Sequence, residues 1–363
     1  MVNDIKPKPA PALNIPKGDA CCDVSIIDTT TTLTVPDDFL IEPHIEGKDY
    51  LNLPDYAFLI TSKEGKVLFD LGTRKDFWNS VPAIADLCEN HVPGLKVDKD
   101  VTEILVDNGV KLTELKALIL SHWHFDHCGN MASLPESVDL ITGPGFKDAF
   151  APGYPSKQES VFWEADLKRN IIEAPFDKRI GNFEAWDYFG DGSLYVLNVP
   201  GHAVAHVSAL VRTTPDTFVF LGGDIPEALL DKRLPRPCPC SIFTAYHPDQ
   251  ENSRSTPFFK CNSGKSSFYV DPPTAQASIQ TLIEFDANEK VCTLIAHDPA
   301  PLKTMTFFPN GTINNWYEKG LKPEMHWDFL NEMPAKGVEA RPVLVDGLYK
   351  EGKRVKHLKG QAV

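Results

Sequence analysis

Nowhere in the 363 residues is there an apolar run of the about 18 residues that a membrane helix needs. The opening stretch MVNDIKPKPAPALNIPKGDA has no apolar core of signal-peptide length, so a soluble, cytoplasmic protein with no membrane partner is expected. Basic charge is scarce. The 36 Lys and Arg stand against 50 Asp and Glu, and the formal net charge of −14 repels polyanions, which argues against nucleic acid as a partner. The eight cysteines (21, 22, 88, 128, 238, 240, 261, 292) follow no regular framework. A chain this long needs no disulfide staples, and reduced thiols are expected. No internal repeat divides the sequence, and a single large α/β unit can hold it. Histidine is thin as well, 11 residues in all, yet three of them crowd into positions 122 to 127.

What is present is ample for a core: 42% of the residues are hydrophobic. The 30 prolines cluster, which suggests long surface loops. Residues 1–20 read as a mobile arm, 21–335 as one domain, and 336–363 as a solvated extension. From position 24 short strand-like runs appear: DVSIID, TTLTV, then YAFLIT and KVLFD joined by the turn SKEG. FWNSVPAIADLCENH and KDVTEILVDNG read as helices, and PPTAQASIQTLIEF spaces Ile279, Leu282 and Ile283 helically to cover one sheet face. Two proline- and aromatic-rich excursions, about 143–192 and 226–271, read as long loop insertions.

Four β-rich runs share an ending. ALIL precedes SHWHFDHCGN, LYVLNV precedes PGH, TFVFLGG precedes Asp224 and VCTLIA precedes His297. In extended chain alternate side chains point the same way, so His122 and His124 can reach one point. Asp126 and His127 follow where Gly129 eases a turn. Imidazole nitrogen and carboxylate oxygen suit zinc and related divalent metals, and four candidate ligands in six residues serve two adjacent ions better than one. His202, Asp224 and His297, each after a strand, supply the remainder. Singly, each reads as a turn or packing residue. Together they do not, because buried unpaired imidazole and carboxylate are expensive.

HxHxDH, then Pro-Gly-His, Gly-Asp and a late His, in that order, resembles the metallo-β-lactamase superfamily over roughly residues 24–310. The resemblance implies an α/β (α+β) fold, a four-layer αββα sandwich with its metals at one edge between two sheets. It also implies His122, His124 and His202 on one metal, Asp126, His127 and His297 on the other, and Asp224 bridging. Asp70, in VLFDLG, matches an early aspartate that orients ligand histidines, and His206 a recurring supporting histidine. Within the superfamily the motif is most similar to acyl-homoserine-lactone lactonases and to fungal lactamase-like proteins of secondary-metabolite and xenobiotic-degrading clusters. Those lactonases commonly carry a tyrosine three residues after the bridging aspartate, where this chain has Glu227, and their TPG after the ligand histidine is AVA here. Substrate handling therefore differs.

Two divalent ions about 3.5–4 Å apart lower the pKa of a water between them and supply hydroxide at neutral pH. The ions expected are zinc, with manganese or iron as alternatives. The implied reaction opens a lactone or lactam ring of a small aromatic or secondary-metabolite substrate. Asp224 bridges the ions, and Asp126 passes a proton to the leaving atom. Phe146, Tyr154 and Trp163, from the first excursion, and Glu227 are the expected substrate contacts. A thioesterase of the glyoxalase-II kind is the alternative. A phosphodiesterase or nuclease fits the charge poorly. A flavin-linked di-iron reductase would carry Glu at His124, and an iron-dependent sulfur dioxygenase shares several ligands. Oligomeric state is left open, a homodimer included.

Overall fold

In the computed structural model, which describes residues 9–44, 47–224, 257, 259–326, 328–333 and 341–358, the strand-forming runs pair into two large sheets. The larger runs, edge to edge, Lys353–His357, Gly347–Lys350, Gly94–Lys96, Asp23–Pro36, Tyr50–Ser62, Gly65–Phe69, Leu115–Ile119, Asp139–Thr142 and Ile171–Glu173. The smaller runs Val291–Leu294, Thr217–Leu221, Val207–Thr214, Leu194–Asn198, Phe183–Asp187 and Lys178–Ile180. DVSIID and TTLTV, expected as two strands, form one. It pairs with Tyr50–Ser62 and shifts register between Asp28 and Thr32, where Thr30 turns left-handed at φ 59°. Extra residues of this kind kink a strand without ending it.

Because successive strand residues face opposite ways, each sheet buries both faces. Ile26, Phe58, Phe69 and Ile119 of the larger sheet meet Val196, Val211, Val219 and Leu294 of the smaller. On the larger sheet's outer face, Leu59, Leu68 and Leu118 pack with Val101 and Leu105 of the helix Val101–Asp107, which a capping box between Asp100 and Glu103 starts. On the smaller sheet's outer face lies the helix Pro272–Asp286, capped by the Asp271 carboxylate accepting from Thr274 N at 3.1 Å. Its Ile279, Leu282 and Phe285 cover Phe183, Leu210 and Phe220, each such fully buried side chain contributing about 1.5–3 kcal/mol. The layers are therefore αββα.

Three boundaries expected from the sequence change. The 143–192 excursion is not a loop. It carries Ile171–Glu173 to the edge of the larger sheet, then Lys178–Ile180 and Phe183–Asp187 into the smaller, so it crosses between layers. The stretch from 336 is not a solvated extension: Gly347–Lys350 pairs with Gly94–Lys96 and with Lys353–His357, and Leu348 is fully buried. The first residues described are held too, since Leu13 is buried and its carbonyl accepts from Gly181 N at 2.7 Å. Of the 226–271 excursion, residues 226–256 and 258 lie outside the described residues, and its end supplies the strand Lys260–Cys261 against Ile41–Glu42. Cys21, Cys22, Cys88, Cys128 and Cys261 carry free thiols. Among the described residues no helix is long and apolar enough to cross a membrane.

Candidate metal centre

The buried strand Leu115–Ile119 delivers the chain to the sheet edge, where it leaves in extended form through His122 and His124 (φ −63°, ψ 151°). It then turns into the four-residue helix Phe125–Cys128, which carries Asp126 and His127. The turn is locked against the loop after Gly65–Phe69: Leu71 N donates to His127 O at 2.9 Å and Gly129 N to Gly72 O at 2.7 Å. Gly129 has φ 52°, and a Cβ there would collide with the Leu71 carbonyl, so only glycine fits. Gly201, before His202, is pressed against the first turn of Pro272–Asp286, where a Cβ would strike Ala275 N. That contact aims His202 back at the edge.

Three imidazole nitrogens converge. His122 Nε2 lies 2.9 Å from His124 Nδ1 and 3.2 Å from His202 Nε2, and the latter is 3.0 Å from His124 Nδ1. A tetrahedral ion with about 2.0–2.1 Å bonds sets its ligand nitrogens about 3.3 Å apart, so this triangle is the size of one coordination face. Asp224 closes it, with Oδ2 3.0 Å from His202 Nε2 and 4.0 Å from His122 Nε2. Beside it a second group gathers. His297 Nε2 lies 3.5 Å from Asp126 Oδ2, and His127 Nε2 lies 3.9 Å from the same oxygen. Asp224 Oδ1 is 3.7 Å from His297 Nε2. One carboxylate thus turns one oxygen to each group.

The residues fit two cations. His127 Nε2 and His202 Nδ1 are buried with no hydrogen-bond partner among the described residues, and for His127 Nε2, facing Asp126, an ion would supply the missing partner. Burial, reinforced by the neighbouring rings, pushes His122 and His124 well below the usual imidazole range, which keeps both neutral and able to ligate. For Asp224 burial acts the other way, but His202 and His297 outweigh it and hold the carboxyl well below its usual range. His127 is opposed by burial too, yet Asp70 and Asp126 raise it to about 10.

Supporting contacts aim the ligands. Asp70, itself left-handed at φ 61°, accepts from Ser121 N at 2.7 Å through Oδ1, while its Oδ2 stands 2.9 Å from His127 Nδ1. His297 Nδ1 donates to Pro54 O at 2.8 Å, which leaves Nε2 for the site. His206 belongs to neither ligand group. Burial, then His202, lowers it to about 3, and its Nδ1 donates to Val199 O at 2.9 Å. Asp70→Ala should weaken metal affinity on the order of 10–100-fold, read by competition against a fluorescent chelator with the circular dichroism spectrum unchanged. Wild-type affinity would show that the backbone, not Asp70, orients His127.

The expected substrate contacts separate. Phe146 is 1% exposed and packs with Phe150 and Phe162 under the outer layer, because the turn at Gly145 sends it inward; it is core. Tyr154 and Trp163 stack edge to face at 5.5 Å and do not line the chamber over the ligands. Glu227 lies outside the described residues. The chamber, about 280 Å³, runs from His124, Asp126, Asp224 and His297 to a wall of Leu33, Val35, Leu40, Leu53 and Phe268. Nothing in the sequence marks these residues, since alternating apolar strand positions read as core.

The family model of the metallo-beta-lactamase superfamily matches residues 52–248. Gamma-lactamase FDB1 of Fusarium pseudograminearum is 39% identical over 355 residues, covering 89% of this chain and 85% of that protein. Metallo-hydrolase mfmC of Annulohypoxylon moriforme is 36% identical over 356 residues, covering 91% and 92%. In fold, the chain is similar to B. thuringiensis AiiA, solved with N-decanoyl-L-homoserine bound at its active site. The TM-score is 0.55 at 20% identity, over 80% of this chain and 99% of that one.

Proposed function

Because the chain belongs to the metallo-β-lactamase superfamily, we propose that it is a metal-dependent hydrolase that opens the ring of a small lactam or lactone. The observation that carries this reading is the Asp224 carboxylate, one oxygen toward each ligand group, at the floor of an apolar chamber. Divalent ions held there would act as Lewis acids on a carbonyl and lower the pKa of water. His122, His124 and His202 would hold one ion and Asp126, His127 and His297 the other, with Asp224 shared. Zinc suits the nitrogen-rich group, and manganese or iron would also be accepted.

The protein's own part is placement. Leu33, Leu53 and Phe268 hold the ring and exclude water from all but its reactive edge. Asp126, which lines the chamber, would take a proton from the attacking water and pass it to the leaving nitrogen or oxygen as the carbonyl C–N or C–O bond breaks. The products are a carboxylate and an amine or alcohol. A gamma-lactamase relative at 39% identity favours the cyclic amide or ester over a thioester. A detoxifying role and cytoplasmic residence belong to the same proposal, the latter resting on the free thiols. A small molecule is the proposed partner, and the charge of −14 disfavours nucleic acid.

A panel of aromatic and aliphatic lactones, γ-lactams and a glutathione thioester tests the reading, with the gain of one water followed by mass spectrometry. At least one lactam or lactone should turn over with kcat/KM on the order of 10⁴ M⁻¹s⁻¹ or more. Turnover of the thioester alone would replace this reading with a thioesterase.

A further inference from the structure

We propose that Lys48 forms an anion subsite of the substrate pocket, which binds a carboxylate or phenolate oxygen carried by the substrate away from the bond that is cleaved. The inference deepens the ring-opening reading and rests on it. A second cavity, about 70 Å³, is lined by Lys48 together with Asn52, Phe329, Glu332 and Met333. It shares Leu40, Leu53, Asp224 and His297 with the 280 Å³ chamber, so the two meet over the metal ligands. The smaller space is well above the about 10–15 Å³ that admits one water. A ring seated in the chamber can therefore extend a polar substituent toward Lys48.

Lys48 is 4% exposed, and an ammonium group taken from water needs compensation. It finds little. Its Nζ donates to the Glu332 main-chain O at 3.1 Å, one acceptor for three N–H bonds, and among the described residues no carboxylate stands within ion-pair distance. The Glu332 carboxylate lines the same cavity, but its charge is paired: Arg341 Nη1 lies 2.5 Å from Oε1, and Asn52 Nδ2 donates to Oε2 at 3.0 Å. Burial pushes the Lys48 ammonium down from its ordinary pKa, and Glu332 and Asp37 only partly push back. Asn52 also donates to Pro342 O at 3.0 Å and accepts from Leu344 N at 2.8 Å, which binds the segment after 341 to the strand Tyr50–Ser62. Lys48 is left with spare donors facing a cavity whose other lining, apart from Asn52 and the Arg341-paired Glu332, is apolar or belongs to the ligand groups. An anionic oxygen supplies what is missing, in a charge-assisted hydrogen bond.

The test compares dihydrocoumarin with its ring-carboxylated analogue, using wild type, Lys48→Met, Lys48→Gln and Lys48→Arg with metal content measured in each. The readout is the ratio of kcat/KM for the two lactones. A loss in folding or metal lowers both values and leaves the ratio alone. Lys48→Met and Lys48→Gln should cut the ratio by about tenfold or more, mostly through KM of the carboxylated substrate, and Lys48→Arg should keep most of it. A ratio unchanged in Lys48→Met and Lys48→Gln overturns the subsite while leaving the hydrolase reading intact. Equilibrium binding of the same pair, followed by quenching of tryptophan fluorescence, is independent of turnover. Lys48-dependent preference for the carboxylated lactone in binding, with no hydrolysis by any variant, would support the subsite and sink the hydrolase reading.

Discussion

Asp224→Ala should strip the protein of both ions and lower kcat/KM by about 10³-fold. Its side chain is buried, with Oδ2 3.0 Å from His202 Nε2 and Oδ1 3.7 Å from His297 Nε2. Removing it takes a ligand from each group at once and leaves five histidine rings close together with less negative charge to hold cations between them. Asp224→Asn separates the two effects, because it keeps one oxygen and loses the charge. It should retain the three-histidine ion and lose the other. Plasma mass spectrometry of metal per chain, beside kcat/KM on the best substrate of the panel, decides the matter. Two ions and normal turnover in Asp224→Ala would mean that the groups are bridged by something else.

Exhaustive chelation should abolish turnover, and added zinc, manganese or iron should restore it. The pH dependence of metal uptake should differ between the groups. Protons compete with metal wherever a ligand titrates, so affinity falls as pH falls through the pKa of the metal-free ligand. His122 and His124 lie well below the ordinary imidazole value of about 6.5, and their group should keep its ion at neutral pH and release it only in acid. His127 is raised to about 10, so an ion entering its group at pH 7 must displace a proton. Affinity there should climb as pH rises from 7 toward 10, with one proton released per ion bound. Calorimetric titration in buffers of different ionisation enthalpy counts those protons. Equal proton release by both groups, or activity surviving complete metal removal, would overturn the assignment.

The two groups of candidate ligands were legible in the sequence because metal chemistry restricts residue type and spacing alike. HWHFDH alternates and then turns within one short stretch, and the strand Leu115–Ile119 that leads to it is marked by the apolar run ALIL. PGH, GGD and AHD each follow a strand, and strands of one sheet end near one another. The sandwich and its covering helices were legible for a related reason: period-2 and helical apolar spacing are local properties of the chain.

Tertiary structure alone decided the rest. The 143–192 excursion looks like loop because its strands are three to five residues long and gain their hydrogen bonds from distant partners. The final hairpin is charged along its length and joins the sheet through Gly94–Lys96, more than 250 positions earlier. Phe146 reads as a pocket aromatic by composition and is core by packing. Leu33 and Leu53 read as core and line the chamber. An apolar side chain carries no mark of whether its neighbour will be another side chain or a substrate. Lys48 shows the same limit for charge. Only the convergence of Tyr50–Ser62 with the segment around Glu332 makes it buried, and the sequence holds no local pattern from which that meeting could be read.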